Sequence, residues 1–189
     1  MRDGTKTKEL IERTALRLFV EKGITETTVR DIAITAGIAE GTMYRHFASK
    51  EDLAWELFAE GYTAIGRELR SIHKSEATAR TKLEAMIRYF CSVFEKDSVM
   101  FTYLFLARHQ QLKKLTPRMP NPYLEFRAVI NEGMRRGEIP KKDPDVAASM
   151  VMGVILQVID SRILSQRIRQ SIASLAGVIV AACLRVLEI

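Results

Sequence analysis

Residues 27–53 carry the sequence TTVRDIAITAGIAEGTMYRHFASKEDL, which indicates two short helices around a tight turn and the start of a third. Thr28 precedes the first apolar residue and Asp31 follows three positions later, a spacing typical of a capping box at a helix start. Gly37 stands where the first helix must end, because glycine adopts the left-handed conformation at little cost. Helices this short are not stable alone, so we expect a helix-turn-helix whose second helix enters the DNA major groove.

The apolar positions of this stretch define an inward side. On the first helix, helical spacing places these apolar residues on one face: Val29, Ile32, Ala33 and Ala36. Around the second helix, the residues that can pack inward are Ile38, Met43 and Phe47. Polar and aromatic side chains remain on the outer side, and four of them follow one another closely: Thr42, Tyr44, Arg45 and His46.

These residues resemble the TetR family of bacterial transcriptional regulators in order and spacing. The matching segments are Thr28-Val-Arg-Asp-Ile-Ala, Ala36-Gly-Ile, Gly41-Thr-Met-Tyr-Arg-His-Phe and Ser49-Lys-Glu-Asp-Leu. Ala39 departs from the family pattern, in which a Ser or Thr usually caps the recognition helix. Loss of such a cap typically costs about 1 kcal/mol of helix stability.

The resemblance implies an all-α fold of about nine helices. We expect a three-helix DNA-binding head over residues 1–50, running into helix 4 to about residue 66, and a helical bundle over residues 67–189 for ligand binding and dimerisation. It further implies a ligand-responsive repressor that binds an inverted-repeat operator on double-stranded DNA as a homodimer in the bacterial cytoplasm.

The candidate DNA contacts divide into two groups. We expect phosphate contacts from Thr28, Tyr44, His46 and Lys50. Lys50 begins a helix, and the free N–H groups at a helix start also favour a phosphate. We expect base contacts from Arg30, Glu40, Thr42 and Arg45, with Gly41 allowing close approach. The alternatives are that Tyr44 packs between helices 1 and 4 and that His46 is an interhelical hydrogen-bond partner. For the other two, Arg45 could be merely solvated and Glu40 could only favour the helix start.

The last two helices are candidates for the dimer interface. Ala173, Gly177 and Ala181 recur at four-residue spacing and allow another helix to approach closely. The preceding helix is apolar on nearly all sides, including Val151 and Ile155, which implies burial on more than one face. The alternative is that both helices belong to the core of one subunit.

The body also suggests a pocket for a small apolar or aromatic effector with one or two orienting hydrogen bonds. The candidate lining residues are Met86, Phe90, Phe94, Phe101, Phe105, His109, Met150 and Gln157. The alternative is that these side chains at helical spacing form core.

Composition restricts the remaining classes. The 189 residues carry a net charge of +6, but residues 1–66 have nine Lys and Arg against eleven Asp and Glu, so charge alone is no argument for DNA binding. Cys91 and Cys183 suggest neither a disulfide framework nor a metal site, and no cofactor is predicted. No secretory signal is visible, and the apolar stretches 146–159 and 172–184 fall short of a bilayer span.

Three rival functions remain open at the level of sequence. A constitutive or architectural DNA-binding protein would share the same head but respond to no effector. A helical enzyme lacks paired metal ligands and a glycine-rich phosphate loop, and Cys91 lies on a predicted apolar face. A helix protein of the membrane surface is disfavoured because mutual burial explains the apolar stripes.

Overall fold

The computed structural model describes residues 4–189, and in that range the chain consists of nine α-helices and one 3-10 turn without any strand. The helices are α1 (Gly4–Lys22), α2 (Val29–Ala36), α3 (Glu40–Tyr44), α4 (Lys50–Ser75), α5 (Ala79–Lys96), α6 (Ser98–Gln111), α7 (Pro122–Arg136), α8 (Pro144–Ile163) and α9 (Ile172–Leu187). The 3-10 turn, Leu112–Lys114, follows α6. The predicted all-α class is confirmed.

Side-chain caps set the helix starts in the C-terminal half. The Asn121 side chain accepts a hydrogen bond from the Tyr123 N–H, one residue after the proline that begins α7. Asp143 likewise caps α8 by accepting bonds from the N–H groups of Asp145 and Val146. Such residues satisfy backbone donors that have no partner inside the helix, which is why short polar side chains mark these boundaries.

One compact unit comprises the residues up to Gly61 together with Val99–Pro117, so it contains nearly all of α6. Tyr103 of α6 explains this grouping. Its ring stacks on Phe19 of α1 with 5.8 Å between centroids, and its hydroxyl donates to the carbonyl oxygen of Ala54 in α4 at 2.5 Å. α6 thus groups with the helix-turn-helix in the structure, whereas the sequence interpretation assigned it to the bundle over residues 67–189.

The second compact unit comprises Tyr62–Ser98 and Arg118–Ile189. Within it α5 packs against α7 and α9, and α8 packs against α7 and α9. Its core is formed by fully buried side chains of α5 and α7, including Leu83, Met86, Ile87, Phe126, Val129 and Ile130. At Gly133 a Cβ would lie 2.7 Å from the Ala79 Cβ, so glycine permits the close approach of α5 and α7.

A buried cation in this unit is fully paired. Lys82 is 6% exposed, and its ammonium donates to both carboxylate oxygens of Glu132 at 2.9 and 3.0 Å. The His73 Nε2 lies 2.8 Å from the same carboxylate. The hydrogen bond with His73, followed by that from Lys82, lowers the pKa of Glu132 to about 2. The cluster connects α4, α5 and α7 and satisfies charges that would otherwise be costly to bury.

α8 is longer and more continuously apolar than expected. It has 20 residues, and an 18-residue window of mean hydropathy 1.6 is long and apolar enough to cross a membrane by length and composition alone. The expectation that this stretch falls short of a span is therefore wrong. Only 28% of the window is buried inside the described structure. An interface helix has the same composition, because one face packs in its own subunit and the other against a partner.

Two of the predicted interface residues are corrected by the packing of α8. Val151 and Ile155 are completely buried within the subunit, so their side chains cannot reach a second copy. The opposite side of α8 is exposed instead and carries Val146, Met150, Gly153 and Gln157. Sequence periodicity could not distinguish the two sides, since both are apolar.

Candidate nucleic-acid interface

α2 and α3 are joined by a left-handed glycine turn. At the start of α2 the Thr28 hydroxyl accepts from the Asp31 N–H and the Asp31 carboxylate accepts from the Thr28 N–H, both at 3.0 Å. The bond from the Thr28 N–H is the main reason that the Asp31 pKa lies below its usual value. Gly37 ends the helix with φ of 63°. The predicted capping box and turn are confirmed.

Buried side chains hold α3 in place. Met43 is completely buried and Phe47, just after the helix, is 2% exposed, whereas Ile38 is only half-buried. Ala39 has extended backbone at the helix start and provides no capping hydrogen bond within the described chain. With five residues and no side-chain cap, α3 depends on these inward anchors for its position.

The predicted DNA contacts surround α3 on its outer side. Thr28, Arg30, Glu40, Gly41, Tyr44 and Arg45 are exposed, and Thr42 and His46 are half-buried. Tyr44 is 55% exposed, so it does not pack between helices as the alternative interpretation required. The Arg45 guanidinium donates to the Thr42 hydroxyl at 3.3 Å, which places both side chains on one surface.

Lys50 begins α4 as expected, but its side chain is largely buried. Its side chain is only 15% exposed. Its ammonium donates to the carbonyl oxygens of Thr27 at 2.7 Å and Thr25 at 3.2 Å. The first residue of α4 therefore holds the turn that precedes α2. Lys50 thus has a supporting role that uses two of its three ammonium donors, and the phosphate contact expected of it stays a prediction.

Ile34 was missed by the sequence interpretation. It lies four residues after Arg30 on α2, and 68% of its surface is exposed. Its side chain lies on the exposed part of α2, as does that of Arg30. A count of inward and outward positions along α2 would have revealed it, because Ile34 is out of phase with Ile32, Ala33 and Ala36.

Comparison with known proteins decides the family. The model of the bacterial regulatory proteins of the tetR family matches residues 11–57. The HTH-type transcriptional repressor KstR2 of Rhodococcus jostii is 40% identical over 150 residues, which cover 77% of this chain and 72% of that protein. The chain belongs to the TetR family. A fatty acid metabolism regulator of Bacillus subtilis is 28% identical over 158 residues, covering 81% of each chain.

Solved structures show that the TetR-family fold extends over nearly the whole chain. FadR of Bacillus subtilis in complex with stearoyl-CoA superposes with a TM-score of 0.72 at 22% identity, covering 93% of this chain and 96% of that one. KstR2 of Mycobacterium tuberculosis gives a TM-score of 0.76 at 24% identity, with 98% and 95% coverage. Since the identities are low, these likenesses concern the fold.

As a member of this family, the protein is a DNA-binding transcriptional regulator and not an enzyme. The environment of its thiols agrees with that assignment. Cys91 and Cys183 are free and buried, and burial raises the pKa of Cys91 to about 11 and that of Cys183 to about 12. Thiols with such pKa values are poor nucleophiles at neutral pH.

The residues predicted to line an effector pocket are dispersed in this TetR-family regulator. Five are buried side chains: Met86, Phe90 and Phe94 of α5, and Phe101 and Phe105 of α6. The Phe90 ring meets Phe126 edge-on with 6.5 Å between centroids, a core contact. His109, Met150 and Gln157 are exposed instead. Met150 and Gln157 lie on the outer side of α8, so their assignment to an enclosed pocket is corrected.

Proposed function

We propose that this TetR-family regulator is a ligand-responsive repressor that binds an inverted-repeat operator as a homodimer. One observation carries the proposal. The helix-turn-helix is anchored from behind by buried side chains, while its outer side presents polar and aromatic groups that the core does not use. A surface of that kind is expected to contact phosphates and base edges.

The proposed phosphate contacts are Thr28, Tyr44 and His46. Hydroxyl and imidazole groups donate to phosphate oxygens and fix the position of the protein without reading sequence. Lys50 supports this group indirectly by holding the turn before α2 through the Thr25 and Thr27 carbonyls. The phosphate contacts therefore depend on how firmly α2 is held against α4.

The proposed base contacts are Arg30, Thr42, Arg45 and Glu40. Arginine suits a guanine edge, a carboxylate accepts from cytosine N4, and the methyl groups of Thr42 and Ile34 suit the thymine methyl. Gly41 is exposed, and among residues 4–189 nothing lies within 4 Å of a Cβ built on it, so space remains for DNA.

The proposed dimer interface is the exposed apolar face of α8 and α9. On α8 it includes Val146 and Met150, which are 52% and 53% exposed. On α9 it includes Val178, 69% exposed, with small residues beside it: Ala173, Gly177 and Ala181. No described atom lies within 4 Å of a Cβ built on Gly177, so a partner helix has room to approach. Two copies of a helix pair bury such faces as a four-helix bundle.

Twofold symmetry connects this interface to the operator. A symmetric dimer presents two copies of α3, and each copy reads one half of an inverted repeat. In helix-turn-helix dimers the half-sites are about 34–36 Å apart or a multiple of that distance. Monomers would lose this coupling and bind each half-site separately and weakly.

We propose a lipid-derived acyl thioester as the effector class. The solved FadR of Bacillus subtilis is in complex with stearoyl-CoA, and a fatty acid metabolism regulator is among the relatives. The apolar face of α5 and the net positive charge of residues 67–189 suit a ligand with a long apolar chain and an anionic end. The ligand would have to bind the DNA-free arrangement better than the DNA-bound one. We place the protein in the cytoplasm, where operator and thioesters both occur.

Selection of random duplexes tests the proposal. Purified full-length protein is incubated with random duplex DNA, and the bound pool is sequenced with and without stearoyl-CoA. We expect an enriched inverted repeat, and release of that repeat by the thioester. Enrichment of a single half-site would contradict the dimer, and an inverted repeat that stearoyl-CoA leaves bound would contradict the effector class.

A further inference from the structure

The helix-turn-helix unit contains a cleft that DNA binding does not explain. Two adjoining cavities of about 420 and 510 Å³ share Ile24, Thr25 and Gln110 in their walls. They lie between the turn that follows α1 and the C-terminal end of α6. Volumes of this size are typical of sites for small ligands.

A residue that lines the larger cavity carries a buried acceptor that has no partner among the described residues. Gln111 is 5% exposed, lines this cavity, and has no hydrogen-bond partner for its Oε1 atom among residues 4–189. A buried carbonyl without a donor costs free energy, so native proteins rarely leave one unsatisfied. A leucine would fill the same volume without that cost. The glutamine is therefore explained if a ligand donates a hydrogen bond to it.

The walls of both cavities combine apolar and polar side chains. In the smaller cavity Phe19, Val20 and Leu106 form an apolar part, and Lys22 and Thr25 are polar. The larger one adds Lys114 beside Gln111. Lys50 and Glu51 also line it, but their charges lie 3.6 Å apart and offset each other. Lys22, in the wall of the smaller cavity, pairs with Asp31 at 3.7 Å. Among residues 4–189 no carboxylate pairs with Lys114, so Lys114 is the cation of the larger cavity that is available to an anionic group. This arrangement suits a small molecule with an apolar body, a hydroxyl donor and a carboxylate.

We infer that this cleft binds a small hydroxylated aromatic carboxylic acid. The hydroxyl donates to the Gln111 Oε1, the carboxylate pairs with Lys114, and the apolar body lies against Leu106. The site is separate from the proposed acyl-thioester effector and does not depend on it. Because Thr25 and Lys50 are in its walls, an occupant contacts the hydrogen bonds that hold the turn before α2. Ligand and operator are then expected to alter each other's affinity by the same factor.

Titration of the full-length protein with hydroxybenzoates tests this site. Calorimetry with 3- and 4-hydroxybenzoate is expected to show saturable binding, with Kd of about 1 mM or tighter for at least one isomer. Benzoate is expected to bind at least tenfold more weakly, because it leaves the buried carbonyl unpaired. Trp55, the single tryptophan of the chain, has the Lys114 ammonium 5.7 Å from its ring centroid, so its emission should change on binding.

Variants locate the binding. Gln111→Leu is expected to weaken hydroxybenzoate binding at least tenfold without lowering the melting temperature, since it removes an unsatisfied acceptor. His109→Gln, two residues away on the exposed side of α6, serves as the matched control and should bind normally. Absence of saturable binding by both isomers would overturn the inference. Equal binding by Gln111→Leu would overturn it too, because the ligand would then occupy another site.

Discussion

The recognition helix and the α8–α9 face are both exposed, but their chemistry differs. α3 has five residues, no side-chain cap and an outer side of polar and aromatic groups, and it is positioned by the buried Met43. α8 has 20 residues, its start is capped by the Asp143 side chain, and its outer side carries apolar residues such as Val146 and Met150. The short helix suits a polar partner that orders it on binding, whereas the long one suits a second rigid copy of itself.

A charge on the apolar face is expected to have the largest effect. Gly177→Arg places a guanidinium where we propose a partner helix, and burial of an unpaired charge costs about 3–5 kcal/mol. We therefore expect more than a hundredfold weaker dimerisation, measured by sedimentation equilibrium. Leu124→Arg adds the same group at an exposed apolar position of α7 and is the matched control. Equal dimerisation by Gly177→Arg and wild type would refute the proposed interface.

Loss of a base contact is expected to have the next largest effect. Arg45→Ala should relax the preference at one position of each half-site, at a cost of about 1–3 kcal/mol for the preferred base. Anisotropy titrations with duplexes that vary at single positions would measure it. Arg135→Ala removes an exposed arginine from α7 and should change nothing. A uniform loss across all sequences would identify Arg45 as a phosphate contact instead.

The variant Lys50→Ala distinguishes two roles of Lys50: holding the turn before α2 and contacting a DNA phosphate directly. Loss of its bonds to the Thr25 and Thr27 carbonyls is expected to lower the free energy of unfolding by about 1–3 kcal/mol. Binding to all duplexes should weaken together, while the slope of log K against log salt stays constant, since no phosphate contact is lost. Chemical denaturation and salt titration measure the two quantities, with Lys141→Ala as an exposed control. A slope reduced by about one with unchanged stability would identify Lys50 as a phosphate contact.

The smallest effect is expected from capping α3. Ala39→Ser supplies the missing acceptor, because the backbone at this position is already extended (φ −74°, ψ 147°). Stabilisation of about 0.5–1 kcal/mol should strengthen binding to all sequences a fewfold. Ala77→Ser makes the same substitution at an exposed position of the second unit and should have no effect on affinity. Unchanged affinity of Ala39→Ser would mean that α3 is already fully ordered before DNA binds.

The sequence predicted most of what local chemistry determines. Thr28, Asp31 and Gly37 form their predicted cap and turn because those interactions extend over three or four residues. Met43 and Phe47 are buried as helical spacing indicated. The all-α class, which the family resemblance implied, is also found.

Interactions between distant residues were not predictable in this way. The bonds from Lys50 to Thr25 and Thr27 cross 25 and 23 positions, and a helix-start lysine carries no signal for them. Tyr103 joins α6 to the first unit through a contact 49 positions away. On α8 the two sides are similarly apolar, so only packing shows that Val151 faces inward and Met150 outward.

The most direct test of the account is the stoichiometry on the selected operator. Sedimentation velocity of wild type and Gly177→Arg with the enriched duplex would give the number of protomers bound. We predict that two wild-type protomers bind each inverted repeat. At the same concentrations we predict that at most one Gly177→Arg protomer binds it, and only weakly. A wild-type complex with one protomer, or an equally tight complex of two Gly177→Arg protomers, would contradict the claim that the α8–α9 face makes the DNA-binding dimer.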